Sequence, residues 1–346
     1  MARGALRWPV KVGPLIGKFP EPGLPIQLGG HPLPDERSVA ATERLLQFLV
    51  QRTADEEVIF LLSGGASALM GAPLSPLTLP MIRQATEQLL RSGASIQEIN
   101  TVRRHWGQAL GGQLALATSA RLRVLALSDV VGDDPATIGS GPASPDPTTV
   151  ADAVAVAAHR GIAIDEFAET PKPGDPRLAR ASVEIIATPA SLREAAAKAA
   201  AVLGLAVFAE STLVTGDIDA LAQKYFDLAH SLPAHTIYIA VGEPTVRVRG
   251  SGKGGRSQQL ALTVARQIAG LNCAFAAVGS DGNDGPTDAA GAIIDGSTWN
   301  SAWTLGPDRA LGDCDSYPLL DAIGALVRLG PTGTNLLDLH LLMTSP

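Results

Sequence analysis

Short apolar runs alternate with longer stretches of helical periodicity along most of the chain. Val58 to Leu62 (VIFLL) ends at Ser63-Gly64-Gly65 and is followed by ASALM. Leu122 to Leu127 (LRVLAL), Val183 to Ala187 (VEIIA) and Leu205 to Ala209 (LAVFA) repeat the pattern. Helical spacing runs through Pro80 to Leu116, broken near Ser92-Gly93 and loosened at Gly111-Gly112. It returns before His159, over Ser191 to Leu203, and over Asp217 to His230. Continuous apolar strands separated by helices predict a parallel sheet covered on both faces. Ligands of such sheets sit beyond the carboxyl ends of the strands. Polar turns at Ser63 and Asp129 occupy that position.

Ser231-Leu232-Pro233 follows a long helix and precedes the strand TIYIAV, and marks the expected boundary. Residues 1–233 then form a larger Rossmann-like α/β domain, three layers (α/β/α) around a mostly parallel sheet. Residues 234–346 form a smaller C-terminal α/β domain. Its order reads as strand, short alternating strand Thr245 to Arg249, glycine loop, helix Arg256 to Ala269, strand Ala274 to Val278, acidic loop.

Composition narrows the class. Of 346 residues, 46% are hydrophobic and 18% charged, enough for a large core in an α/β enzyme. A net charge of −7 without a basic tract excludes nucleic acid and an anionic membrane surface as expected partners. The six histidines lack metal-site spacing, and Cys273 and Cys314 form no C-x-x-C, which fits a reducing cytosol. No unbroken signal-peptide core opens the chain, and no run reaches the roughly 18 apolar residues of a membrane helix. A cytoplasmic enzyme is expected, with a homodimer left open.

The chemistry concentrates between Gly242 and Gly291. Gly250, Gly252, Gly254 and Gly255, with Lys253 and Arg256, form a basic loop opening a helix, an arrangement suited to phosphate. Glu243 lies in the same block and is assigned with these glycines to a nucleotide site. Asp281, Asp284 and Asp288 in the following acidic loop suit a hard cation such as Mg²⁺. The loop also matches G-x-G-x-x-G, so a dinucleotide reading stands beside it. Against that reading, TVRVR alternates with arginine where a central Rossmann strand is apolar, and Walker A spacing is absent. A plain strand–helix turn and an acidic solvated turn remain the simpler alternatives.

Elsewhere, Ser63, Gly64, Gly65 and Ser67 can hold an anion by backbone N–H groups. Asp129 can act as a general base or a ligand. Arg103 can clamp a carboxylate through both nitrogens or lie on a solvated helix face.

In order, these segments resemble the class II glycerate kinases that end in a MOFRL domain. The matches are GHPLPDE (Gly30 to Glu36), LLSGGASAL (Leu61 to Leu69), INTVRRH (Ile99 to His105), LSDVVGDDPATIGSGP (Leu127 to Pro142), GEPTVRVRGSGKGGRSQQLAL (Gly242 to Leu262), GSDGNDGPTDAAGAIIDG (Gly279 to Gly296) and GPTGTNLLDL (Gly330 to Leu339). The resemblance implies ATP-dependent phosphorylation of D-glycerate at its 2-hydroxyl with Mg²⁺, in a cleft between the two domains. The family's essential arginine then falls at Arg256. Lys253 would share its charge role, Asp129 would take the hydroxyl proton, and Ser63 to Ser67 with Arg103 would bind glycerate. The alternatives are an NAD(P)H-dependent hydroxypyruvate reductase and a catalytically inactive glycerate- or nucleotide-binding relative.

Departures are Ala66 for a third glycine, Pro244 for threonine, Ser257 for asparagine and Gln259 for glutamate. The family also carries a catalytic lysine on a strand-to-helix Gly–Lys loop upstream of GHPxPDE. Only 29 residues precede Gly30 here, and Gly17-Lys18 runs into FPEPGLP, which cannot start a helix. Gly17-Lys18 is therefore expected to be a poor substitute. The expectation is a fragment, a misplaced start or diverged activity.

Overall fold

The computed structural model describes residues 12–18, 20, 23–164 and 166–345. Two compact units divide the chain, Met1–Ile186 and Ala187–Pro346. Among the described residues, no helix is long and apolar enough to cross a membrane.

In the first unit, β1 (Leu15–Gly17) pairs in parallel with β2 (Ile26–Leu28). A separate sheet runs β3 (Glu57–Leu62), β4 (Arg121–Leu127), β5 (Ala181–Ala187), with β3 and β4 parallel. Leu45 and Leu49 of helix Glu36–Val50 pack with Leu62, Val124, Ala126, Leu110 and Leu114. A second cluster joins Ile82 and Leu89 of helix Leu79–Arg91 to Ile99, Val102 and Trp106 of helix Ile96–Trp106. The last helix is fixed at its start by a reciprocal cap. Ser95 Oγ accepts the Glu98 N–H at 3.3 Å and Glu98 Oε2 accepts the Ser95 N–H at 2.8 Å. Arg160 then grips Glu98 through Nε and Nη2 at 3.0 and 2.8 Å. This anchoring matters because the helix carries Asn100, Arg103 and Arg104.

Parallel α/β architecture matches the sequence reading. Coverage of the sheet is less complete than expected, since Ile59 on β3 stays 51% exposed. An apolar run indicates a strand without telling how many of its faces are covered.

The second unit holds β6 (Ala206–Ala209), β7 (Val214–Asp217), β8 (Thr236–Thr245), β9 (Cys273–Gly279), β10 (Gly291–Asp295), β11 (Leu326–Val327) and β12 (Asp338–Thr344). They form one sheet in the order β11-β10-β9-β12-β8-β6, with β7 also on β8. The pairing is mixed: β12 lies antiparallel between β8 and β9, while β6 and β7 run parallel to β8. Helix Arg256–Gln267 is buried on nearly every side, with Leu260, Leu262 and Val264 in the core. Truncating any of these leucines to alanine costs about 2–5 kcal/mol.

The compact units part earlier than residue 233, because β6 registers Val207 against Ile237 of β8 and carries residues 187–233 into the second unit. The alternating strand expected over Thr245 to Arg249 is also absent beyond Thr245, where β8 ends. Val248 is 78% exposed, so that alternation buries nothing that would hold a strand.

Candidate functional site

In the first unit the turn after β3 carries Ser63, Gly64 and Gly65, followed by the short helix Ala66–Leu69. Gly65 adopts φ 83°, a left-handed conformation that favours glycine. A Cβ there would lie 2.8 Å from Lys18 Cε and 3.2 Å from His31 Cδ2. Lys18 thus leaves the end of β1 and passes over this turn. Gly17-Lys18, expected to be a poor substitute for the family's Gly–Lys loop, nonetheless places its lysine beside this turn. Prolines forbid a helix after Lys18, but β1 pairing with β2 is enough to bring the lysine to the turn.

His31 is held by the cap beside it. The Gly30 N–H donates to Asp35 Oδ1 at 3.0 Å and to Ser38 Oγ at 2.9 Å, while Asp35 Oδ1 accepts the Ser38 N–H at 2.9 Å. The GHPLPDE segment is therefore a helix cap that sets out His31. Although the residue is exposed as a whole, partial burial of its ring lowers its pKa to about 4, with the charges of Lys18 and Arg103 adding to the effect.

Arg103 and Arg104 are neighbours with opposite fates. Arg104 is buried and committed, donating to Asp146 Oδ1 at 3.1 Å and to the Ala136 carbonyl at 2.6 Å. One residue earlier, about 100° around the helix, Arg103 points into a pocket it lines with Pro34, Ser67, Ile82, Thr86 and Trp106. No hydrogen bond or ion pair to its guanidinium is found among the described residues. Burial alone lowers its pKa to about 10, so it stays charged at neutral pH. Lys18 likewise has no ion pair among the described residues. Lys18 over the glycine turn and Arg103 in the pocket lined by Ser67 are cations without carboxylate partners among the described residues, a combination that can hold a small anion. Asp129 stands half-buried just past the end of β4.

In the second unit, the first residue of β12, Asp338, registers against Gly242 of β8 and Gly279 of β9. There it meets Arg256, the first residue of its helix. Nε donates to Asp338 Oδ2 at 2.7 Å and Nη2 to Oδ1 at 3.1 Å, while Nη1 pairs with Glu243. Burial works against the arginine's charge, but these two carboxylates outweigh it and hold its pKa above the usual arginine range.

The start of this helix is not an open anion site. Asp284 Oδ1 accepts the Ser257 N–H at 3.1 Å and Oδ2 accepts the Gln258 N–H at 2.8 Å. A Cβ on Gly255 would fall 2.2 Å from the Asp284 carboxyl carbon, so this glycine lets the acid reach the helix end. Burial raises the Asp284 pKa to about 6, against the pull of those N–H groups. The Gly252 N–H donates to the Asp313 carbonyl at 3.0 Å and the Lys253 N–H to Asp315 Oδ1 at 2.8 Å. Lys253 Nζ rests 4.3 Å over the Tyr317 ring. Two N–H groups of the expected phosphate loop, those of Gly252 and Lys253, and two at the helix start are thus committed to the protein's own oxygens, and Gly250 and Gly254 belong to the same loop.

The three acids expected to share a cation do not converge. Asp281 accepts the N–H of Asn283 in its own turn at 3.0 Å, Asp284 faces the helix, and Asp288 takes the Tyr317 hydroxyl at 2.6 Å and Arg328 at 3.1 Å. Among the described residues, no three His, Cys, Asp or Glu side chains are placed to hold a metal ion.

The comparisons with known proteins bear on both units. Residues 16–170 match a family described as a domain of unknown function, DUF4147, and residues 236–338 match the MOFRL family. D-glycerate 2-kinase of Thermotoga maritima is 39% identical, covering 90% of this chain and 78% of its own. The chain belongs to the class II glycerate kinase family. A crystal structure of glycerate kinase from the same organism superposes with a TM-score of 0.86 at 36% identity, covering 96% of this chain and 84% of that one. A relative from Agrobacterium vitis, named as a hydroxypyruvate reductase, is 37% identical over 90% of this chain and 76% of its own. His31 beside the Gly65 turn and Asp338 on Arg256 are neighbours of the candidate residues that the motif reading did not single out. A histidine inside GHPLPDE and the penultimate aspartate of GPTGTNLLDL were the available signals.

Proposed function

We propose that the protein transfers the γ-phosphoryl group of ATP to the 2-hydroxyl of D-glycerate, giving 2-phosphoglycerate and ADP. The reading is supported most by two cations with no carboxylate partner among the described residues, Lys18 over the Gly65 turn and Arg103 in the adjoining pocket that Ser67 lines, both of which act on the His31 ring. A glycerate carboxylate supplies the missing negative charge. Arg103, with its planar fork, suits that carboxylate. Lys18, a compact charge on a flexible stem, suits a phosphoryl oxygen. The hydroxyl oxygen attacks the γ-phosphorus, its proton passes to a base for which Asp129 is the candidate, and the bond to ADP breaks. Such catalysis is mostly positioning and charge neutralisation. In the second unit, Arg256 would neutralise phosphoryl oxygens from a seat fixed by Asp338 and Glu243. Lys253, parked over Tyr317, would have to swing away to join it.

Mg²⁺ accompanies ATP in this reading. Asp281, Asp284 and Asp288 do not fit a shared ion. The reductase alternative gains nothing from the glycine loop, which is parted from the end of β8 by four irregular residues and whose Gly252 and Lys253 N–H groups are committed to Asp313 and Asp315. Two free cysteines accord with a cytoplasmic protein.

Kinetics of Arg103→Ala and Lys18→Ala test the assignment. Arg103→Ala is expected to raise KM for D-glycerate at least tenfold with a smaller change in kcat. Lys18→Ala is expected to act mainly on kcat. Unchanged constants in both folded variants would remove the site from the first unit.

A further inference from the structure

A directional chain of hydrogen bonds runs beneath the pocket that Arg103 lines. Asn100 is 2% exposed, and its Nδ2 donates to the Thr137 carbonyl at 3.4 Å. That carbonyl only accepts, which orients the amide with Nδ2 toward it and Oδ1 toward Ser140. Ser140 Oγ lies 2.8 Å from Asn100 Oδ1 and donates its single proton there. The Ser67 Oγ is 2.7 Å from Ser140 Oγ, and with the Ser140 proton already committed, Ser67 must be the donor of that bond. A hydroxyl has one proton. Toward the pocket, Ser67 therefore offers only lone pairs.

The chain is held by unusual backbone. Gly139, Ser140 and Gly141 have φ of 59°, 59° and 60°, three left-handed residues in succession, and Ser140 among them is fully buried. A serine in this conformation is uncommon, and its position is set by the hydrogen bonds it makes to two other elements.

We propose that Asn100 and Ser140 are positioning residues that lock Ser67 as a hydrogen-bond acceptor, so that the pocket selects a carboxylate ligand carrying a hydroxyl donor. The inference rests on the proposed glycerate site. A hydroxyl of D-glycerate donates to Ser67 while Arg103 holds the carboxylate. A carbonyl at the same place meets lone pairs with lone pairs, and a methyl leaves the Ser67 acceptor unpaired. Either mismatch costs about tenfold in affinity for one neutral hydrogen bond.

Calorimetric titration of the full chain with D-glycerate, hydroxypyruvate and D-lactate tests this. Hydroxypyruvate lacks the 2-hydroxyl donor and D-lactate lacks the 3-hydroxyl. Ser67→Ala is expected to weaken D-glycerate about tenfold while leaving one analogue unchanged, and that analogue identifies the hydroxyl being read. Ser140→Gly, which suits the left-handed backbone, frees the Ser67 proton. It is expected to narrow the preference for D-glycerate over that same analogue at least threefold. Equal weakening of all three ligands by Ser67→Ala, or an unchanged preference in Ser140→Gly, would overturn the proposal. Arg103→Ala separates the two levels. If it weakens all three carboxylates alike, the site stands whatever becomes of Ser67. If it weakens none, the site reading and this inference fall together.

Discussion

Asp338 holds the guanidinium of Arg256 with both carboxylate oxygens, at 2.7 and 3.1 Å, from the first residue of a central strand. The acid is 4% exposed and the arginine side chain 34%, so the pair sits at the edge of the core with one end open. Arg256→Ala leaves a buried carboxylate without its partner. The stability loss is expected near the low end of a buried pair, about 2 kcal/mol, because the arginine is partly solvated. The loss of kcat is expected to be far larger, ~10³-fold or more for an arginine neutralising phosphoryl charge. Arg256→Lys is expected to fold well and still turn over at least ~10-fold slower, since lysine lacks the fork. Turnover of the folded variants, checked by circular dichroism, decides. Near-normal kcat in either would reduce Arg256 to a structural role.

Asp284 predicts a pH dependence of stability. Burial raises its pKa from 3.8 to about 6. Between these values the folded chain binds the proton more tightly than the unfolded one. The group's contribution is therefore fully present below about pH 4 and is lost as pH rises through 6. A shift of this size corresponds to on the order of 3 kcal/mol. Asp284→Asn is expected to flatten this portion of the curve. Urea unfolding of both forms from pH 4 to 7 measures it, and an identical difference at every pH would contradict the assignment.

His31 predicts a titration that reports on its neighbours. Its pKa of about 4 lies below the ordinary 6.5, from burial first and then Lys18 and Arg103. The unfolded chain therefore takes up a proton first, and stability from this group falls as pH drops from 6.5 toward 4. Lys18→Ala removes one of the two positive charges and is expected to move the imidazole pKa upward. Nuclear magnetic resonance of the ring protons follows the titration. A midpoint still near 4 would mean that the lysine charge does not act there.

Gly65→Ala tests the closeness of Lys18 to the turn. The new Cβ sits 2.8 Å from Lys18 Cε at φ 83°, which costs about 1–2 kcal/mol in backbone strain and displaces a flexible lysine. A modest loss of melting temperature with at least a ~10-fold drop in kcat is expected. Normal kcat with lowered stability would place Lys18 outside the chemistry.

Much of the architecture was legible because its signals are local. The run VIFLL with its glycine turn marks β3, LRVLAL marks β4, and the helical spacing after the break near Ser92-Gly93 marks the helix bearing Arg103. What stayed hidden depends on distant partners. The basic loop before Arg256 reads as an open anion site until Asp284, 27 residues beyond Ser257, closes the helix end. Arg103 and Arg104 are indistinguishable as residue types, and Asp146, 42 residues past Arg104, decides which one is committed. Lys18 was discounted because β1 spans three residues and gains its place only by pairing with β2. The acidic loop likewise shows its carboxylates without showing that each already has a donor.

The most direct test incubates the purified chain with ATP, Mg²⁺ and D-glycerate and resolves the products by phosphorus magnetic resonance, beside an NADH-oxidation assay with hydroxypyruvate. A glycerate 2-kinase yields 2-phosphoglycerate and ADP in equal amounts, with no NADH consumed. Oxidation of NADH by hydroxypyruvate without any phosphoglycerate would contradict that assignment.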